Sequence, residues 1–160
     1  MGIEIERKFL PNGDGWRGLG EATLMRQGYL SSDPVRTVRV RIEGERAVIT
    51  IKSKSTGATR GEWEYEIPVP DAAELLERLC GQPLVEKVRH RIDHLGHTWE
   101  VDEFQGENAG LVVAEIELGS EDEAFEKPDW IGREVTGDKR YYNSSLIRLP
   151  YSKWKDKDPA

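Results

Sequence analysis

Across most of its 160 residues this chain alternates between apolar and charged side chains. "IEIERKF" begins the pattern at Ile3, and "TVRVRI", "AVITIKS", "EWEYEI", "LVEKVRHRID", "TWEVDEF" and "VVAEIEL" repeat it. A period of two is the period of a β-strand, so each of these stretches presents one greasy face and one ionised face. Chains of this kind fold as antiparallel sheet, because a strand buried on both faces would read as a continuous apolar run.

Turn chemistry divides the strands. Pro11 to Gly15 is a turn, a short helix is expected after it, and "MRQGYL" reads as a second short strand. "EGER" joins a hairpin whose arms put Arg39, Arg41 and Lys52 on one face. "STGATRG" lacks the Gly-Lys-Ser/Thr end of a phosphate-binding loop and reads as a mobile connection. Pro68 and Pro70 stop the "EWEYE" strand. A helix capped by Asp71 follows, with Leu75, Leu76 and Leu79 at helical spacing, a small buried Cys80 at its close and Gly81 as its stop. The next hairpin turns near Gly96, and a second helix is expected from Ser120, where Ser120 and Glu123 have the capping-box spacing. "YYNSSLIRL" predicts a last short helix capped by Asn143 or Ser144, and residues 151–160 read as a solvated tail. No composition shift or repeat divides residues 1–160, so a single domain is expected.

Asp and Glu outnumber Lys and Arg by 30 to 23, giving a formal net charge of −7, which argues against charge-driven binding to nucleic acid or an anionic membrane. With Cys80 as the one cysteine, neither an internal disulfide nor a cysteine zinc cage is available. The absence of a leader-like start and of a long apolar run gives the expectation of a soluble, cytoplasmic protein. His90, His94 and His97 share one hairpin, but His97 lies on the arm across the turn, and ordinary surface histidines suffice to explain them. Trp63, Trp99 and Trp130 are expected to pack under helices.

The ionised face carries both signs. Its carboxylates are Glu4, Glu6, Glu62, Glu64, Glu100, Asp102, Glu115 and Glu117; its bases are Lys8, Arg39, Arg41, Lys52, Lys87, Arg89 and Arg91. An open sheet with this face in water satisfies the alternation, and so does a barrel with the charges inside. The charges are sorted into like pairs, however, and a solvated surface has no need of that. Enclosed, such pairs require neutralisation: carboxylate pairs attract hard cations, and Arg and Lys clusters grip phosphate oxygens. A polyphosphate with its metal would satisfy both.

The residues also resemble a known family. "EIERKF", followed in order by "VRVR", "TIK", "EWEYE", "KVRH", "WEVDEF" with its "GEN" loop, "AEIEL" and "DKRYYN", is similar to the CYTH superfamily, the triphosphate tunnel metalloenzymes, and in particular to its bacterial short-chain inorganic triphosphatases. The resemblance spans roughly residues 3 to 150. It implies an α+β, mainly β fold: an eight-stranded antiparallel closed barrel, open at both ends, with a few peripheral helices. It implies hydrolysis of inorganic triphosphate with Mg²⁺ or Mn²⁺. Adenylate cyclase and thiamine or nucleoside triphosphatase chemistry occur in the same tunnel, and a non-catalytic polyphosphate binder is the reading from outside the enzymes. Carried over by position, Glu4, Glu6, Glu62, Glu64, Asp102, Glu115 and Glu117 would be metal-side ligands. Lys8, Arg39, Arg41, Lys52, Lys87 and Arg89 would bind the triphosphate, and Glu115, Glu117, Glu62 and Glu64 are the candidates to orient the attacking water. Arg60, Arg91, Glu100, Lys139 and Arg140 match less closely. The partner implied is a small-molecule triphosphate, with no nucleic acid and no membrane.

Overall fold

The alternating stretches form one continuous wall. The computed structural model describes residues 2–157. Its strands are β1 (Gly2–Pro11), β2 (Glu21–Asp33), β3 (Arg36–Glu43), β4 (Arg46–Ser53), β5 (Thr59–Ile67), β6 (Val85–His94), β7 (His97–Phe104), β8 (Val112–Glu117) and β9 (Ile131–Glu134), with helices α1 (Val69–Arg78) and α2 (Asn143–Leu146). The order β5-β4-β3-β2-β6-β7-β8-β1 returns to β5 through an antiparallel β1–β5 pairing, which closes an eight-stranded barrel. β9 is an extra strand against the far half of β1.

Register fixes what faces inward. Directly paired residues share a face, and the pairs Lys8 with Glu115, Lys52 with Glu62, Arg89 with Asp102 and Arg91 with Glu100 point the charged sides of β1, β4, β5, β6, β7 and β8 into the barrel. The greasy faces look outward and are covered. Phe9, Ile92, Trp99, Val101, Ala114 and Ile116 pack with Trp16 and Trp130 from the loops that lie over them. On the other flank Val40 and Ala47 pack under Ala72, Leu76 and Cys80 of the α1 region.

At one end the inward columns change character. Along β1 the sequence Glu4, Glu6, Lys8 runs on to Leu10; along β6, Arg91, Arg89, Lys87 runs on to Val85. Leu10, Val85, Phe104 and Val113 form an apolar ring into which Tyr141, Leu146 and Trp154 of the C-terminal segment pack. The expectation of a barrel open at both ends is therefore corrected: apolar burial closes this end. So is the expectation of a solvated tail, since Trp154 is 6% exposed and edge-on to Tyr141 and Tyr151. Residues 158–160 of that expected tail lie outside the described residues.

Other local expectations also shift. The stretch after Gly15 is a series of turns that buries Trp16, without a helix. "MRQGYL" is the middle of the 13-residue β2, lengthened because it pairs with β3 on one side and β6 on the other. α1 starts at Val69, with Pro70 in its first turn where a missing N–H costs nothing, and Asp71 lies inside that turn. Ser120 and Glu123 close a single turn: Glu123 accepts from the Gly119 N–H at 2.7 Å and meets His97 Nε2 at 2.6 Å. The chain then runs on without regular secondary structure and lays Phe125 edge-on to Phe9 and Trp99. Trp99 and Trp130 thus pack under a loop rather than a helix, and Trp63 is half-buried on the barrel wall.

Candidate active site

The barrel encloses a cavity of about 270 Å³, near the lower limit of roughly 300–1,000 Å³ for ligand pockets, and its lining is almost entirely polar. Strand order sorts its charges. Reading around the wall, β7, β8, β1 and β5 contribute Glu100, Glu115, Glu117, Glu4, Glu6, Glu62 and Glu64; β3 and β6 contribute Arg39, Arg41, Lys87, Arg89 and Arg91. Lys8 and Lys52 stand within or beside the acidic arc and tie it together. Lys8 Nζ lies 2.7 Å from Glu115 and 3.2 Å from Glu6, and Lys52 Nζ lies 2.9 Å from Glu4 and 3.5 Å from Glu62.

The acidic arc holds more charge than its bases neutralise, and this shows in the proton affinities. Burial, with Glu115 and Glu4 nearby, pushes Glu6 up to about 8. Burial beside Glu4 pushes Glu62 up to about 7, and burial next to Glu4 and Glu100 also raises Glu117. Glu115 goes the other way: burial alone would raise it, but Lys8, Arg89 and Lys87 together hold it well below the usual carboxylate range. Glu4 is also lowered: burial alone would raise it, but the Lys52 ammonium and a hydrogen bond with Glu62 together outweigh that. Glu64 sits more exposed and accepts from the Thr50 hydroxyl at 2.8 Å.

The basic arc is short of acceptors. Burial and the neighbouring guanidiniums of Arg39 and Arg89 push Arg41 down to about 10; the buried Nε of Arg39 has no hydrogen-bond partner, and that of Arg41 has an ion pair with Glu43 at 3.3 Å but no hydrogen bond. Burial likewise lowers Lys87 to about 7, against the pull of Asp102. Unpaired donors crowded together are costly unless an anion meets them.

Asp102 departs from its expected place among the metal ligands. It is fully buried behind the cavity wall, accepting from Arg89 Nε at 2.8 Å and Nη2 at 2.9 Å and lying 2.8 Å from Lys87 Nζ. Both its oxygens are spent on fixing bases. Of the residues that matched less closely, Arg60, Arg91 and Glu100 line the cavity. Arg140 instead pairs with Asp138 at 3.1 Å and lies over Tyr141 and Trp154, and Lys139 is not among the lining residues.

Several lining residues were missed. Tyr29 has the inward phase of β2, with Gln27 buried beside it behind Asn143, and Tyr142, Asn143 and Ser144 cross the closed end. The alternation in "RQGYL" was the available signal for the first two; nothing periodic marks the others. Glu43 and Arg46, flanking the β3–β4 turn, stand at the open mouth and pair at 3.2 Å.

An all-oxygen donor set of carboxylates, without histidine or cysteine, suits a hard divalent cation. Among the described residues no three His, Cys, Asp or Glu side chains converge closely enough to hold an ion alone.

Comparison with known proteins agrees with the geometry. The CYTH domain family model matches residues 2–147. The chain is 54% identical over 156 residues to a protein of Acetivibrio thermocellus named inorganic triphosphatase, covering 98% of this chain and all of that one. It is 38% identical over 153 residues to another inorganic triphosphatase, from Nitrosomonas europaea, covering 89% of this chain and 95% of that one. The crystal structure of the inorganic triphosphatase NE1496 superposes with a TM-score of 0.64 at 37% identity, over 90% of this chain and 97% of that chain. A Hippeastrum protein described as a putative adenylyl cyclase with dominant triphosphatase activity shares the fold at 17% identity, with a TM-score of 0.54 over 75% of this chain and 80% of that one.

Proposed function

This chain belongs to the CYTH domain family, and from that premise we propose that it is a divalent-metal-dependent enzyme hydrolysing inorganic triphosphate to pyrophosphate and orthophosphate. The observation that carries the reading is the sorting of one enclosed cavity into a basic arc facing an acidic arc. A polyanion alone would match only half of that wall; a triphosphate with its cation matches both halves.

Phosphoryl transfer asks a protein mainly for positioning and charge stabilisation. Arg39, Arg41, Lys87 and Arg89 supply donors to the phosphate oxygens, while Lys8 and Lys52 reach the chain from the acidic side. Glu4, Glu6, Glu62, Glu64, Glu115 and Glu117 are the carboxylates available to one or two Mg²⁺ or Mn²⁺ ions. Bound there, the ion supplies Lewis acidity and neutralises charge shared between phosphate and carboxylate. Water attacks the terminal phosphorus, its proton passes to a carboxylate, and the anhydride bond breaks to release pyrophosphate. Glu115, committed to Lys8 and Arg89, is poorly placed to take that proton, which leaves Glu62, Glu64 and Glu117 to orient the water.

The site needs only a small-molecule partner, with no nucleic acid and no membrane. No helix among the described residues is long and apolar enough to span a bilayer, and a lone, buried Cys80 suits the reducing cytoplasm. We treat residues 1–160 as one functional domain.

A panel of tripolyphosphate, ATP and thiamine triphosphate, with Mg²⁺ or Mn²⁺ and with chelator, tests the reading through phosphate release and cyclic AMP formation. The expected result is metal-dependent phosphate release, fastest from tripolyphosphate, and none from Glu4→Gln or Glu6→Gln. Tight tripolyphosphate binding with no turnover under excess metal would make the protein a binder instead.

A further inference from the structure

The closed end of the barrel carries a group to which the charge pattern assigns no role. Lys87 is the last base on its column; the next inward residue, Val85, belongs to the apolar plug. Across that end Asn143 lines the cavity, and its Oδ1 accepts from Lys87 Nζ at 2.8 Å and from Gln27 Nε2 at 3.0 Å. Gln27 is itself oriented by Tyr29, whose hydroxyl lies 3.2 Å from the same Nε2.

These contacts settle which way the Asn143 amide points. An ammonium offers donors only, so Lys87, 2.8 Å from Asp102 and 2.8 Å from the Asn143 amide, faces the amide oxygen. Turning the amide over would set NH₂ against an amine and against a second NH₂. Oδ1 is thus held toward Lys87 and Gln27, and Nδ2, with two N–H donors, makes no hydrogen bond to another described residue. It is a neutral donor pair held in a fixed orientation beside the deepest base of a site built for phosphate oxygens.

We infer that Asn143 is a further substrate-binding residue: its Nδ2 donates to the outermost, unsubstituted phosphate of a linear triphosphate at the closed end, and so sets where the chain ends inside the barrel. Beyond it lie Leu146 and the apolar ring, which offer nothing to a further phosphate. A longer chain or an organic substituent has room only toward the open mouth at Glu43 and Arg46. The inference rests on the triphosphatase reading above.

The test is a double-mutant cycle of the parent, Asn143→Ala, Lys87→Ala and the double variant, read by KM and calorimetric affinity for tripolyphosphate with Mg²⁺. Asn143→Ala should raise KM and Kd about tenfold, the size expected for one hydrogen bond to a charged group. It should cost a similar factor in the Lys87→Ala background, because the Nδ2 hydrogen bond does not pass through Lys87. Asn143→Ser keeps a short donor and should fall between the parent and Asn143→Ala. An unchanged affinity in Asn143→Ala, or a cost that vanishes in the Lys87→Ala background, overturns the inference, because a residue that only steadies Lys87 has nothing left to steady there. If Asn143→Ala does not fold, Asn143→Ser is judged by the same cycle. A parent that neither binds nor cleaves tripolyphosphate would instead sink the functional reading itself; one that binds without cleaving leaves the affinity cycle to decide the inference.

Discussion

Asp102 and Glu6 are carboxylates of the same inward phase, and their surroundings give them opposite work. Asp102 is enclosed with Arg89 and Lys87, so Asp102→Asn removes the charge from a buried pair and should cost about 3–5 kcal/mol. Urea denaturation measures this, and a loss below about 0.5 kcal/mol would class the contact with ordinary surface pairs. Glu6 faces more negative charge than its neighbours cancel. Its folded value of about 8 lies above the ordinary 4.5, so the folded state holds the proton more tightly than the unfolded one. Stability from this group is full below about pH 4.5 and is lost as pH rises toward 8. In chelator the melting temperature should therefore fall across that window, less so in Glu6→Gln, and added Mg²⁺ should offset the fall. Glu62 and Glu117 act in the same sense, whereas Asp102, Glu4 and Glu115 stabilise above the ordinary carboxylate range and lose that contribution as acid protonates them. A flat profile in chelator between pH 5 and 8 would contradict the crowding of the acidic arc. Alternation fixed the phase of both residues, but not their depth along the barrel axis, and depth separates a cavity ligand from a buried anchor.

At the scale of elements, strands were legible and their endings were not. A period of two declares a strand wherever it occurs, which is why "TVRVRI" and "AVITIKS" paired as expected across "EGER". The helix expected at Ser120 failed because Glu123, the residue that would complete its cap, is taken by His97 and Gly119, and because Phe125 must reach the apolar face beside Trp99. The C-terminal segment misled in the opposite direction. "YSKWKDKD" has the composition of a solvated end, yet a single Trp154 draws it into the plug. Trp154→Ala should cost about 3–5 kcal/mol, as for other buried aromatic truncations. The same variant should weaken tripolyphosphate binding, because the plug carries the segment that holds Asn143 over Lys87. Thermal melts and calorimetry check both, and parental stability would return the segment to the status of a tail.

Across the whole molecule, function follows from strand order, which no local pattern reveals. "EWEYE" and "VVAEIE" lie far apart in sequence and become neighbours of β1 on either side, while "TVRVRI" and "EKVRHR" flank β2 across the barrel. Closure turns separate like-charged pairs into two facing arcs, and in the sequence only the family resemblance implies that closure. A crystal grown with tripolyphosphate and Mn²⁺ tests this arrangement most directly. Three phosphates should lie along Arg39, Arg41, Lys87 and Arg89, with metal density between them and the carboxylates of β1, β5 and β8. Triphosphate bound outside the barrel, or inside it with metal density away from those carboxylates, would contradict it.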